Sequence, residues 1–388
     1  MTGWNGTLEA TLNSMGFPQN IITVIMKCVR TVYYSILING QPSKKFYPKR
    51  GIRQGDPLSP YLFIIIAEVL SAMITKAQDA GQIHGICIGK QAPPISNIFF
   101  ADDNIVFCKA TIEEAKNLMS IFQEYQRVSG QKINFAKSEM VFNSTMNHNI
   151  LTSFQSYMPI NITSNIDKYH GLPTHVGRSK TQVFNFIMDR IKKKLESWKA
   201  RNLSFSSRGV LIRAVIQDIP TYVMSYFKIP QIICDRIEKA ICRFWWGGNA
   251  YTRKIHWKKK DHLLRSKQEG GLGFRNLKNF NEALLAKQIW RLHRTPTSLL
   301  AKCLKAKYYP HSDILQANLG HNPSYTWRSI FSTKWIVLKG GCWKIGNSSH
   351  VHAWRDNWLP FQNGFRPLTR DNGVSRISHV KNVLGDQP

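Results

Sequence analysis

Acidic residues are scarce in this chain: 23 Asp and Glu stand against 53 Lys and Arg, a formal net charge of +30 over 388 residues. A compact chain with that imbalance repels itself unless a polyanion binds it, so nucleic acid is the natural partner. Cysteine is sparse and scattered, at Cys28, Cys87, Cys108, Cys234, Cys242, Cys303 and Cys342, with no C-x-x-C pair and no histidine at zinc spacing. That pattern excludes a disulfide framework and a zinc knuckle, and the odd count favours reduced thiols. Long hydrophobic runs are missing as well. The longest, Tyr61 to Ile74, is short for a bilayer and contains Glu68, and the opening residues Met1-Thr2-Gly3-Trp4-Asn5-Gly6 are not a secretory signal. An intracellular chain, in nucleus or cytoplasm and without a membrane, is expected. There is no internal repeat and no low-complexity tract. What the chain does have, 43% hydrophobic residues with 11 Trp and 20 Phe, excludes wholesale disorder and allows two or three domains with cores.

One acidic pair stands in an apolar setting. The run Ser96-Asn97-Ile98-Phe99-Phe100 stops at Ala101-Asp102-Asp103 and resumes as Asn104-Ile105-Val106-Phe107-Cys108. This spacing predicts a hairpin with two adjacent carboxylates at its tip, a way to hold a divalent metal. Two carboxylates rarely complete a polymerase-type site, which needs a further acid from another strand to bridge both ions. A bare Asp-Asp is otherwise a solvated turn. His350-Val351-His352 is the tightest histidine pair, but two ligands at that spacing need others that the sequence does not offer.

Around that pair, apolar spacing predicts two short helices before residue 30, interrupted by Gly16 and Pro18. A hairpin follows, from Tyr33–Ile38 through Asn39-Gly40 to Lys44–Pro48. The loop Gly51-Ile52-Arg53-Gln54-Gly55-Asp56-Pro57 should feed a buried helix from Leu58 to Lys76, with Asp56 as its N-cap rather than a ligand and Pro57 as its first residue. A helix is predicted from Thr111 to Val128, ended by Ser129-Gly130, and a strand at Glu139–Phe142. Phe184, Ile187, Ile191, Leu195 and Trp198 recur at helical spacing among Arg190, Lys192, Lys193, Lys194, Lys199 and Arg201, which reads as an amphipathic basic helix. Trp198 continues the apolar stripe, so it reads as core before it reads as a stacking platform. A second helix over Ser206–Asp218 carries Arg208 and Arg213, and a third spans Asn281–His293. Phe244-Trp245-Trp246-Gly247-Gly248 and Gly270-Gly271-Leu272-Gly273-Phe274 punctuate the later chain, and Lys258-Lys259-Lys260 is a nuclear-import patch, a phosphate contact or neither.

Taken in order, several of these segments resemble one family. They are Leu37-Ile38-Asn39-Gly40, Arg53 to Phe63, Phe100 to Asp103, Ser129 to Ser138, Gly171-Leu172-Pro173, Phe244-Trp245-Trp246, Glu269 to Phe274 and Tyr325-Thr326-Trp327-Arg328. The chain resembles, over nearly its whole length, the reverse transcriptase of plant LINE-type (non-LTR) retrotransposons. The resemblance implies an α+β right-hand polymerase: a palm over residues 1–150, the palm end and basic helical thumb over 151–245, and a helical, Trp-rich connection over 246–388. It implies RNA-directed DNA synthesis with two Mg2+ ions, on an RNA template and a DNA primer, from deoxynucleoside triphosphates. Asp102 carries over as a catalytic metal ligand and Asp103 as its neighbour. Arg53, Gln54 and Gly55 carry over as the loop against the incoming nucleotide, with Lys137 near the leaving pyrophosphate. Lys193, Lys199, Arg201, Arg208 and Arg213 carry over as thumb contacts to the duplex.

The family's third acid lies just before a Glu-Trp pair, and Trp4 matches that tryptophan, so the first catalytic strand is expected to be missing and the two-ion site incomplete. Glu9 is the nearest early carboxylate, on the helix after that strand. Fingers, an N-terminal endonuclease and a C-terminal zinc-binding and ribonuclease H-like region are expected to be missing too. The polymerase should then be impaired while a grip on nucleic acid persists; a non-catalytic, maturase-like RNA-binding or splicing protein is the rival expectation.

Overall fold

The computed structural model describes residues 4–48, 53–143, 146, 148–199, 203–247, 254–345, 351–354, 356–360, 365, 367 and 378–384. The chain divides into two units, Met1–Asp167 and Lys168–Pro388. Helix α1 (Trp4–Ser14) and helix α2 (Gln19–Arg30) open the first, separated at Gly16 and Pro18 as the interrupted spacing predicts. Trp4, Leu8 and Leu12 recur every fourth residue and are buried against helix α3 (Ser59–Asp79) and helix α4 (Ile112–Ser129). Thr7 Oγ1 donates to the Val128 carbonyl at 2.5 Å, fastening α1 to the end of α4. Between α2 and α3, strands β1 (Leu37–Ile38) and β2 (Gln41–Pro42) pair antiparallel around Asn39-Gly40, both at positive φ, the geometry a tight hairpin demands. A bridge from Tyr34 to Phe46 extends the pairing.

Strands β3 (Asn97–Phe100) and β4 (Asp103–Val106) form the predicted apolar hairpin. Helix α4 starts at the Thr111 cap, whose Oγ1 accepts the Glu114 amide, and stops where Gly130 turns left-handed. Strand β5 (Glu139–Val141) pairs in parallel with β6 (Asn161–Thr163), joined through helix α5 (His148–Tyr157).

Helix α3 departs from expectation in three ways. It begins at Ser59 with Leu58 as cap, so Asp56 is not its N-cap; the Asp56 carboxylate instead accepts the Leu58 amide at 2.8 Å, closing a turn one step earlier. It is buried on one stripe only, Leu62, Ile66, Leu70, Ile74 and Ala77, while Tyr61 and Ile64 are exposed, because its partners α1, α4 and β3 lie along that stripe. At 21 residues it outlasts the apolar run, and it is the one helix among the described residues long and apolar enough to cross a membrane.

The second unit begins with β7 (Lys168–Tyr169) and β8 (Leu172–Pro173), then helix α6 (Lys180–Lys199). Phe184, Ile187, Ile191 and Leu195 are buried on α6 and Lys192, Lys193 and Lys194 are exposed, as the spacing requires. Helix α7 (Phe205–Leu211) runs on into a π turn at Ile212–Ile216, where one continuous α-helix was predicted. Helices α8 (Thr221–Met224), α9 (Gln231–Trp245), α10 (Lys260–Leu264) and α11 (Leu277–Arg294) follow. Phe184 of α6, Phe227, Ile233 and Ile237 of α9, and Leu277 of α11 share one core. Trp198 packs on Phe244 with ring centroids 6.0 Å apart, which is the core role its stripe indicates. Gly271 is dictated by space: a Cβ there would lie 2.2 Å from the Arg265 carbonyl oxygen. A second core centres on the fully buried Trp327, stacked between Tyr308 and Tyr309.

Candidate functional site

The register Phe100↔Asp103 leaves Ala101 and Asp102 as a two-residue connection, so the two carboxylates sit at the last turn position and the first residue of β4. Both are exposed. Ala101 has φ +53, a left-handed conformation that costs an L side chain about 1 kcal/mol or more. Strain of that kind is held in place by the strands on either side and aims the tip. Replacing Ala101 by Gly should raise the stability of the first unit by up to about 1 kcal/mol in urea unfolding, since glycine tolerates this φ. A lower midpoint would show that the turn is unstrained.

The base of the hairpin is held by a group the sequence reading passed over. Glu114 is 5% exposed, and its carboxylate accepts the Lys109 amide at 2.8 Å, the His84 amide at 3.0 Å and His84 Nδ1 at 2.7 Å. Burial works to raise this carboxyl, and the amides of His84 and Lys109 with the His84 imidazole outweigh it, holding it below its ordinary value. Cys108, half-buried near the Glu114 charge, is pushed up to about 11 by desolvation and by that charge, and stays a neutral thiol. The available signal was Thr111-x-x-Glu114, which reads as a capping box; here only the threonine half is made, and the glutamate serves the strands instead.

Arg53, Gln54 and Gly55 form an exposed turn leading to α3. Gly55 has φ +85 with open space around its Cβ position, so backbone conformation and not crowding selects glycine. Lys137 is exposed at the end of a short turn that the Asn134 side chain caps. These residues and the Asp pair all fall in the first unit. The basic residues fall in the second. Lys193 is exposed on α6, Lys199 ends that helix, and Arg201 lies outside the described residues. The guanidinium of Arg208 donates to the Trp245 carbonyl at 3.2 Å and lies over the Phe205 ring, so it caps the end of α9. Arg213 reaches the Leu272 carbonyl at 3.5 Å. Lys260 is likewise engaged, bonded to Glu238 at 2.7 Å, whereas Lys258 and Lys259 are exposed. His350 lies outside the described residues, as do Gly51, Ile52 and Gly248.

Asp102 and Asp103 suit a hard divalent cation, which takes carboxylate oxygens. Among the described residues no group of three His, Cys, Asp or Glu side chains gathers to hold a metal.

Residues 4–199 match the family model of the reverse transcriptase, an RNA-dependent DNA polymerase. An uncharacterized mitochondrial protein of Arabidopsis thaliana is 38% identical over 151 residues, 39% of this chain and 98% of that protein. A putative ribonuclease H protein of the same plant is 32% identical over 216 residues, covering 53% of this chain and 34% of its own length. The retrovirus-related Pol polyprotein of a type-1 retrotransposable element of Popillia japonica is 26% identical over 135 residues, 35% of this chain and 21% of the polyprotein. The chain thus spans about a third or less of the two longer relatives. An α+β unit with an Asp-Asp hairpin and a match of half the chain to one polymerase family agree: the chain belongs to the reverse transcriptase family.

Proposed function

We propose that this chain binds a primer–template of RNA and DNA through a polymerase-derived palm in its first unit and a basic thumb helix, α6, in its second. The observation that carries the reading is the Asp102–Asp103 turn, raised on an apolar antiparallel hairpin and preceded by the Gly55 loop and α3. On this reading Asp102 and Asp103 are metal-facing carboxylates, and Arg53, Gln54, Gly55 and Lys137 face the nucleotide. Lys193 and Lys199 meet phosphates, whereas Arg208 and Arg213 steady the fold through the carbonyls they bond. Because the described residues bring no third acid to the pair, the proposal includes impaired chemistry: binding without efficient synthesis.

Primer extension on an RNA template tests this, using the full chain with Mg2+ and deoxynucleoside triphosphates. Binding should be tight and should weaken steeply with salt, with a log–log slope near about −0.9 per phosphate contacted on duplex DNA. Incorporation should not exceed that of Asp102→Asn. Synthesis that Asp102→Asn abolishes would overturn the impairment, and a salt-independent affinity would overturn the thumb assignment.

A further inference from the structure

The most exposed large hydrophobic side chain among the described residues is Trp257, at 75%. It lies in the stretch Lys254-Ile255-His256-Trp257-Lys258-Lys259, exposed throughout and without an acid. An isolated surface hydrophobe needs no explanation, but this one is framed by rigid attachments. On one side the His256 ring stacks on Trp246 at 6.2 Å and 25°, and Trp246 packs on the main core of the unit. On the other, Lys260 bonds to Glu238 at 2.7 Å, a glutamate that is 3% exposed and also accepts the Leu277 amide at 3.0 Å. The lysine triplet therefore splits. Lys260 is consumed by the fold, raised above its ordinary value by the Glu238 hydrogen bond, while Lys258 and Lys259 are exposed to solvent.

We infer that Trp257 is a stacking platform for an unpaired base of single-stranded nucleic acid, with Lys254, Lys258 and Lys259 taking the flanking phosphates. An indole presented by fixed ends loses little freedom on stacking, and a base offers it a π-face whatever the sequence. The three lysines of the stretch supply the complementary charge, while the nearby acids Glu238 and Asp235 are paired with Lys260. The site lies outside the Asp102–Asp103 unit, and the inference rests on the reading of the chain as a nucleic-acid binder.

The test measures affinity of the full chain for labelled oligo(U), for an abasic oligomer of equal length and charge, and for vesicles of phosphatidylcholine and phosphatidylserine. Wild type should prefer oligo(U) to the abasic strand by between about 5- and 160-fold, the range of one stacked base. Trp257→Ala should erase that preference without lowering the melting temperature, and Trp257→Phe should keep most of it. The double variant Lys258→Gln/Lys259→Gln should keep the preference and flatten the log–log salt slope by about 1.4. A preference unchanged in Trp257→Ala overturns the platform, and so does vesicle binding that only Trp257→Ala abolishes. No binding of any oligomer by wild type overturns instead the nucleic-acid reading above.

Discussion

Replacing Asn281 by alanine should destabilise the Lys168–Pro388 unit by about 3–5 kcal/mol, a large part of the stability of an ordinary domain. Asn281 is 2% exposed on α11, and both hydrogens of its amide and its carbonyl oxygen are engaged. Its amide nitrogen donates to the carbonyls of Met224 at 2.7 Å and Phe227 at 2.9 Å, and its carbonyl accepts the Ile229 amide at 2.8 Å. These bonds replace the backbone partners that the connection between α8 and α9 lacks. Removing the side chain leaves two carbonyls and an amide buried together, each costing about 1–3 kcal/mol. The damage should spread to function, because Phe227 lies 5.5 Å from Phe184 of α6, the helix that presents Lys193. Nucleic-acid affinity should fall with the melting temperature.

Asn281→Asp separates shape from chemistry. An ionised carboxylate keeps the Ile229 bond and turns acceptors toward two carbonyls, so at neutral pH it should be worse than alanine. Acidification restores one donor and should recover part of the loss. Urea unfolding of both variants across pH decides this. An alanine variant within about 0.5 kcal/mol of wild type would mean that the connection does not depend on Asn281.

The two hairpins, the caps of α4 and the stripe of α6 were legible because each is written locally, in turn residues or in a 3.6-residue period. The parallel pairing of β5 with β6 was not, since its register depends on residues some twenty positions apart. The π turn at Ile212–Ile216 sits inside an unbroken helical pattern, so periodicity had no reason to mark it. Arg208 and Lys260 show a second limit: charge counts them as ligands for a polyanion, and only the fold reveals that Trp245 and Glu238 already hold them. Asp102 and Asp103 stand out in the sequence because two acids interrupt an apolar run. Glu114 and Asn281 lie on helices, and their partners His84 and Met224 are 30 and 57 positions away in sequence, beyond any local rule.

Glu114→Ala should cost the first unit about 3–5 kcal/mol, and Glu114→Gln should remove an acid-dependent part of its stability. The carboxylate joins the chain ahead of β3, at His84, to the residue three past the end of β4, at Lys109. Without it the hairpin loses the clamp at its base, and the carboxylates at its tip lose their fixed position. The carboxyl is held below its ordinary value of 4.5 in the folded chain, so the unfolded chain binds the proton more readily. The stabilisation is therefore complete above the unfolded value and is lost as pH falls through the lower folded one. Wild type should lose stability below about pH 4.5 faster than Glu114→Gln, and at pH 7 the order should be wild type, then Gln, then Ala. A glutamine oxygen in place of Oε2 can still accept both backbone amides, but its NH2 replaces the second carboxylate oxygen facing His84 Nδ1, so the charge and that acceptor are lost. Parallel pH profiles for wild type and Glu114→Gln would show that the charge contributes nothing to the clamp. The same variants separate clamp from tip: if the hairpin positions the carboxylates, Ca2+ or Mn2+ affinity at Asp102 and Asp103 should fall in Glu114→Ala under conditions where the unit is still folded.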